Sequence, residues 1–145
     1  MMRNVNLAGI FLLLALTGAQ AAEPEEPTLP AMKSARAWLE TIDNGKLEDA
    51  WNSATDALHA KTDLARWSSD VTKRRGTGTV KCRRGLDFEL FSDPDHVDAI
   101  FVTQFVDGRV IGERVGVADD EHEVSHVISY KVTPAPKGQS APCGP

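Results

Sequence analysis

The sequence is short of the residues on which most site chemistry depends. Its 145 residues include two cysteines, four histidines and one tyrosine, and aromatics make up only 6%. Two cysteines cannot build a Cys-rich metal site, and the histidines are not spaced as ligand pairs. His122 and His126, the nearest two, would stand ~13 Å apart on an extended strand, too far for one ion. No metal and no cofactor is therefore expected. Positive charge is also scarce, with 16 Lys/Arg against 21 Asp/Glu and a formal charge of −5. That balance argues against general nucleic-acid binding. Long apolar runs are missing too. The longest, Leu7–Leu16, holds ten apolar or glycine residues, half the ~20 that a membrane-spanning helix needs.

What the N-terminus does contain is ordered. A weakly basic Met1-Met2-Arg3-Asn4 precedes the apolar run, and Ala19-Gln20-Ala21 comes after it as a small-residue exit. This is the pattern of a secretory signal peptide, residues 1–21, with cleavage expected after Ala21. Cleavage leaves 124 residues with 15 basic and 21 acidic side chains, a formal charge of −6. That length suits one domain with one core, working in the periplasm or outside the cell. No membrane span is expected after cleavage.

Residues 22–29 are rich in Pro and Glu and read as a flexible lead-in. Pro30 suits a first helical turn, with Thr28 as its cap. Ala35, Trp38, Leu39 and Ile42 then form one apolar stripe at helical spacing, closed by Asn44-Gly45. Leu47, Ala50, Trp51, Ala54 and Leu58 predict a second helix. A third is predicted from Thr62-Asp63, with Leu64, Trp67 and Val71 inward, ending before Gly76-Thr77-Gly78.

The period then changes to two. Thr79–Phe91 predicts a strand with Leu86, Phe88 and Leu90 on one face and a bulge at Gly85. After the turn at Ser92–Asp95, His96–Val106 is apolar on both faces, as in a strand covered on both sides. Asp107-Gly108 predicts a two-residue hairpin turn. Arg109–Ala118 is the third strand, with Ile111, Val115 and Val117 inward. Glu123–Thr133 is the fourth, with Val124, Ile128, Tyr130 and Val132 on one side. Residues 134–145 form a Pro/Gly-rich tail with little to pack. The fold class is α+β: three helices on a curved four-stranded antiparallel sheet, occupying residues 30–133.

The run from Ala37 to Gly45, AWLETIDNG, followed by Ala50-Trp51, resembles the opening of the bacterial exported family called domain of unknown function 4019. Trp67, Arg74, Gly78, Arg84, Glu113 and Tyr130 fall where that family carries matching residues. Ser125 and Ser129 stand where it usually has Trp and Gly, so the chain resembles a diverged member. The resemblance covers roughly residues 33–133. It implies a cone similar to the nuclear transport factor 2-like and cystatin-like folds, and no particular chemistry.

Function is weighed on four constellations. Asp43, Glu113, His126 and Tyr130 are the acid/base candidates that can be placed near a cavity, though no catalytic set is expected from them. Trp38, Trp51, Trp67, Phe101, Phe105 and Tyr130 would line a pocket between helices and sheet, or simply make the core. Lys73, Arg74, Arg75, Lys81, Arg83 and Arg84 form a basic segment without an acid, either a patch for an anionic partner or a solvated helix end and strand edge. Cys82 and Cys143 are either a disulfide pinning the tail to the domain or two free thiols. The leading expectation is an exported non-enzymatic binding or accessory domain. Its partner would be an envelope protein, an anionic polymer or a second copy docking through the sheet. The alternative is a small-molecule-binding or isomerase/lyase-type cone.

Overall fold

The computed structural model describes residues 25–139 and 142–144, so the expected signal peptide lies outside the described residues. The architecture is α+β, with helices first and then a four-stranded antiparallel sheet in the order β1-β2-β3-β4.

Helix α1 spans Pro30–Asp43. Proline stands at its first position, where a missing N–H costs nothing, and the cap is Leu29 rather than Thr28. Gly45 adopts φ +74° after Asn44, and the Lys46 N–H closes back on the Thr41 carbonyl at 3.1 Å. That positive φ is the reason a glycine ends the helix. The expected second helix is broken into α2, Leu47–Asn52, and a single turn α3, Asp56–His59. The break has a tertiary cause: the Thr55 N–H leaves the helical pattern and donates to the Val127 carbonyl of the sheet at 3.0 Å. Helix α4, Leu64–Arg75, starts where the Asp63 carboxylate accepts from the Arg66 N–H at 2.8 Å, and Gly76 comes after it at φ +74°.

The strands are β1 Val80–Ser92, β2 Asp95–Phe105, β3 Val110–Asp119 and β4 Ser125–Pro134. One face carries Phe88, Ala99, Phe101, Val115, Val117 and Val127 against Met32, Trp38, Leu39, Trp51 and Trp67. Phe101 and Phe105 are fully buried, each such side chain contributing ~1.5–3 kcal/mol by leaving water. Trp38 also keeps its polar atom satisfied, donating from Nε1 to the Ala50 carbonyl at 2.8 Å.

Three strand details differ from the periodicity. The register shifts between Gly85 and Asp87, so a bulge takes Leu86 out of the core row, and Leu90 runs past the helices to 71% exposure. A second shift, after Gly116, rotates the start of β4. Val127 is buried there instead of Ile128, and Val124 is exposed. The β2–β3 connection is a three-residue loop, Val106-Asp107-Gly108, closed by Phe105–Arg109 hydrogen bonding, with only Gly108 at positive φ. This is a turn followed by a left-handed glycine, which needs one more residue than the two-residue form.

The tail packs where little packing was expected. Cys82 is disulfide-bonded to Cys143, with Cα atoms 5.9 Å apart. Arg83, the neighbour of Cys82, faces the helices, so Cys82 lies on the opposite face of β1. The tail therefore leaves β4 at one edge of the sheet and is fastened to β1 at the other. On the way Pro136 lies against Gly112, and Pro142 is buried. Val102, on that outer face, is fully buried.

Candidate functional site

The polar centre of the domain is an ion network between the helices and the sheet. Asp43 comes from the end of α1, Arg75 from the end of α4, Arg83 from β1, Thr103 from β2, Glu113 from β3 and Tyr130 from β4. Every strand contributes one side chain. The side chains of Glu113, Arg83, Arg75 and Asp43 are 0%, 4%, 5% and 17% exposed.

Glu113 is the hub. Its Oε1 accepts from Arg75 Nε at 2.9 Å and from the Tyr130 hydroxyl at 2.6 Å. Its Oε2 accepts from Arg83 Nε at 3.1 Å, Arg83 Nη2 at 3.0 Å and the Thr103 hydroxyl at 2.5 Å. Asp43 takes a two-pronged contact from Arg83, at 2.7 and 2.9 Å, and is also bonded by Arg75. The Arg75 guanidinium lies 5.3 Å from the centre of the Phe105 ring, on the apolar side. Two arginines face two carboxylates, so the network is neutral and the low-dielectric interior holds no unbalanced charge.

This geometry sets the electrostatics. Burial alone would push the Glu113 carboxyl up. The guanidiniums of Arg83 and Arg75, with hydrogen bonds from Thr103 and Tyr130, outweigh it and hold the group below the usual carboxylate range. Burial and the neighbouring Glu113 charge raise the Tyr130 hydroxyl well above its ordinary value, and the arginines offset this only in part. Glu113 is therefore a fixed anion and Tyr130 a fixed donor. A general base needs an open lone pair facing its substrate. Both oxygens of Glu113 already accept from the protein, five hydrogen bonds in all.

Of the four acid/base candidates, the fold brings Asp43, Glu113 and Tyr130 together and leaves His126 out. His126 stands at the start of β4, 2.9 Å from the Asp120 carboxylate. The aromatic candidates pack closely. The ring centres of Trp38 and Tyr130 are 5.2 Å apart, those of Trp38 and Trp67 6.1 Å, and those of Trp51 and Trp67 5.4 Å. The six cations do not share a surface. Arg75 and Arg83 turn inward to the network, and Arg84 lies on the sheet's outer face beside Pro136. Lys73 and Arg74 on α4, and Lys81 in β1, are exposed.

Thr103, Arg75 and Arg83 complete the network, and sequence phase alone marks two of them. Arg75 continues the stripe Trp67, Val71 at i+4, and Thr103 sits between Phe101 and Phe105 in the inward phase of β2.

Comparison with protein-family models, curated proteins and solved structures finds no match for this chain.

Proposed function

We propose that the chain is an exported, non-enzymatic binding or accessory domain, a diverged relative of the domain of unknown function 4019 family, and that its ion network is scaffold. The observation that carries this reading is the saturation of Glu113, the one fully buried carboxylate among the described residues. All its acceptor capacity is spent on arginines and hydroxyls of the same chain, so its chemistry is internal. The network fixes α1 and α4 on the sheet and leaves recognition to the surface. Export is supported by the signal-peptide pattern and by the disulfide, which persists in oxidising compartments. Among the described residues no helix is long and apolar enough to cross a membrane.

Native mass spectrometry of the mature protein, purified from an oxidising compartment, tests the reading. The expected spectrum is a chain cut after Ala21, lighter by two hydrogens than its reduced form and free of small molecules. A retained small molecule would overturn the scaffold reading in favour of a binding cone. An uncut chain would remove the case for export.

A further inference from the structure

We propose that the groove between α4 and the free edge of β4 binds an extended acidic peptide segment of a partner protein, which adds to the sheet as a fifth strand. The inference rests on the reading of the chain as a binding domain and names the partner class and the place. The groove encloses about 210 Å³, with Trp67, Val71 and Val132 as an apolar floor and Asp70, Arg74 and Lys131 around it.

Three observations converge on this class of occupant. First, β4 is an edge strand, paired only with β3. Among the described residues one backbone hydrogen bond reaches it from the helical side, from the Thr55 N–H to the Val127 carbonyl. The stretch Tyr130–Thr133 beyond it keeps its edge groups for another strand, the geometry that strand addition uses. Second, the floor is apolar and two-sided. Tyr130 and Val132 face the helices while Lys131 faces the other way, so an added strand would place alternate residues on Trp67 and Val71 and the rest beside Lys131. Third, the charge is wrong for the protein and right for an acid. In a chain of net charge −5, Arg74 and Lys131 are both exposed and form no ion pair among the described residues. Asp70 offsets only one of them. Extended chain, alternate apolar residues and acidic partners together describe a strand of alternating acidic and β-branched residues.

The probe is an acetylated heptapeptide of alternating Glu and Val, titrated into the isotope-labelled, oxidised protein and followed by amide chemical shifts. A Lys/Val heptapeptide of the same pattern and inorganic polyphosphate serve as controls. The expected result is movement of Tyr130–Thr133 and of the α4 amides from Trp67 to Arg74 with the Glu/Val peptide alone. The doubly exposed variant Arg74→Glu/Lys131→Glu should keep its dispersed spectrum and reverse the preference by at least about tenfold, toward the Lys/Val peptide. Shifts confined to other edges, no shifts, or a preference unchanged in the variant would each overturn the groove. Equal binding of polyphosphate at the same amides would replace the peptide with charge alone. None of these outcomes bears on the retained-ligand measurement above, so the two readings fail separately.

Discussion

Arg83 on β1 reaches over Thr103 on β2 and holds Glu113 on β3, placing two donors on the same carboxylate oxygen at 3.0 and 3.1 Å. A guanidinium bridges a whole strand to do this, and the hydroxyl it crosses joins in, accepting from Arg83 Nε at 3.0 Å and donating to Glu113. The sheet is thus stitched across its width by side chains as well as by the backbone ladder.

Removing the hub should be far more damaging than removing the whole network. Glu113→Ala leaves two buried arginines with Asp43 as their one remaining carboxylate, and a broken buried pair of this kind costs ~3–5 kcal/mol. Replacing Asp43, Arg75, Arg83 and Glu113 together by apolar residues of similar size removes the charges in balance and should cost much less. Urea unfolding of both variants checks the ordering.

Stability should fall on both sides of neutrality, for two separate reasons. Glu113 has a depressed folded-state pKa, so its contribution is complete above the ordinary glutamate value and is lost as pH drops toward the folded one. Tyr130 has a raised folded-state pKa. The unfolded chain then ionises first in alkali, and stability declines as pH rises past the ordinary tyrosine value near 10. Urea midpoints measured from acid to alkali, with Tyr130→Phe alongside, separate the two limbs. The variant should flatten the alkaline limb.

Cys143→Ser opens a loop whose bonded cysteines are 61 residues apart in sequence. The chain-entropy argument gives a loss on the order of 4 kcal/mol for a loop of that size. Because the helix-side core lies on the far face of the sheet, the variant should stay folded at neutral pH. Its hydrogen exchange should rise first in β2 and β3 around Val102 and Gly112, where the tail lies.

Gly112 and Gly116 on β3 are places where a methyl group has no room. A Cβ at Gly112 would collide with the Thr133 side chain and come within 2.9 Å of the Pro134 carbonyl oxygen. Gly112→Ala is expected to destabilise by ~1–3 kcal/mol, the usual range for overpacking. Gly138→Ala meets open space but sits at φ +79°, so it should cost only the backbone strain. Thermal unfolding of the pair tells the two effects apart.

Much of this layout is legible in the sequence, and the rest hides for definable reasons. The stripe Ala35, Trp38, Leu39, Ile42 and the change of period after Gly78 suffice for a helical half and a sheet half. Bulges are another matter. One inserted residue at Leu86, and the shift opposite Gly116, each reverse the facing of the residues beyond them, and alternation alone cannot locate them. The broken second helix depends on the Thr55–Val127 bond, which joins positions far apart in the chain. The ion network illustrates the opposite case. Glu113 stands in phase with Ile111, Val115 and Val117, and Arg75 in phase with Trp67 and Val71. Within the charged segment 73–84, helical phase marks Arg75 as inward, whereas Arg83 reaches the network because the bulge at Leu86 reverses the facing of β1.

The bond between Cys82 and Cys143 has a topological consequence. It closes a covalent ring that contains β2, β3, β4 and most of β1, while all four helices hang outside it on an open chain. A protease that cuts any hairpin of the sheet leaves one molecule, its pieces still joined through sulfur. A cut between α4 and β1 leaves the helical half with no covalent tie to the sheet, held only by the core and the ion network. The half of the domain built from long-range pairings is therefore the half that tolerates being nicked.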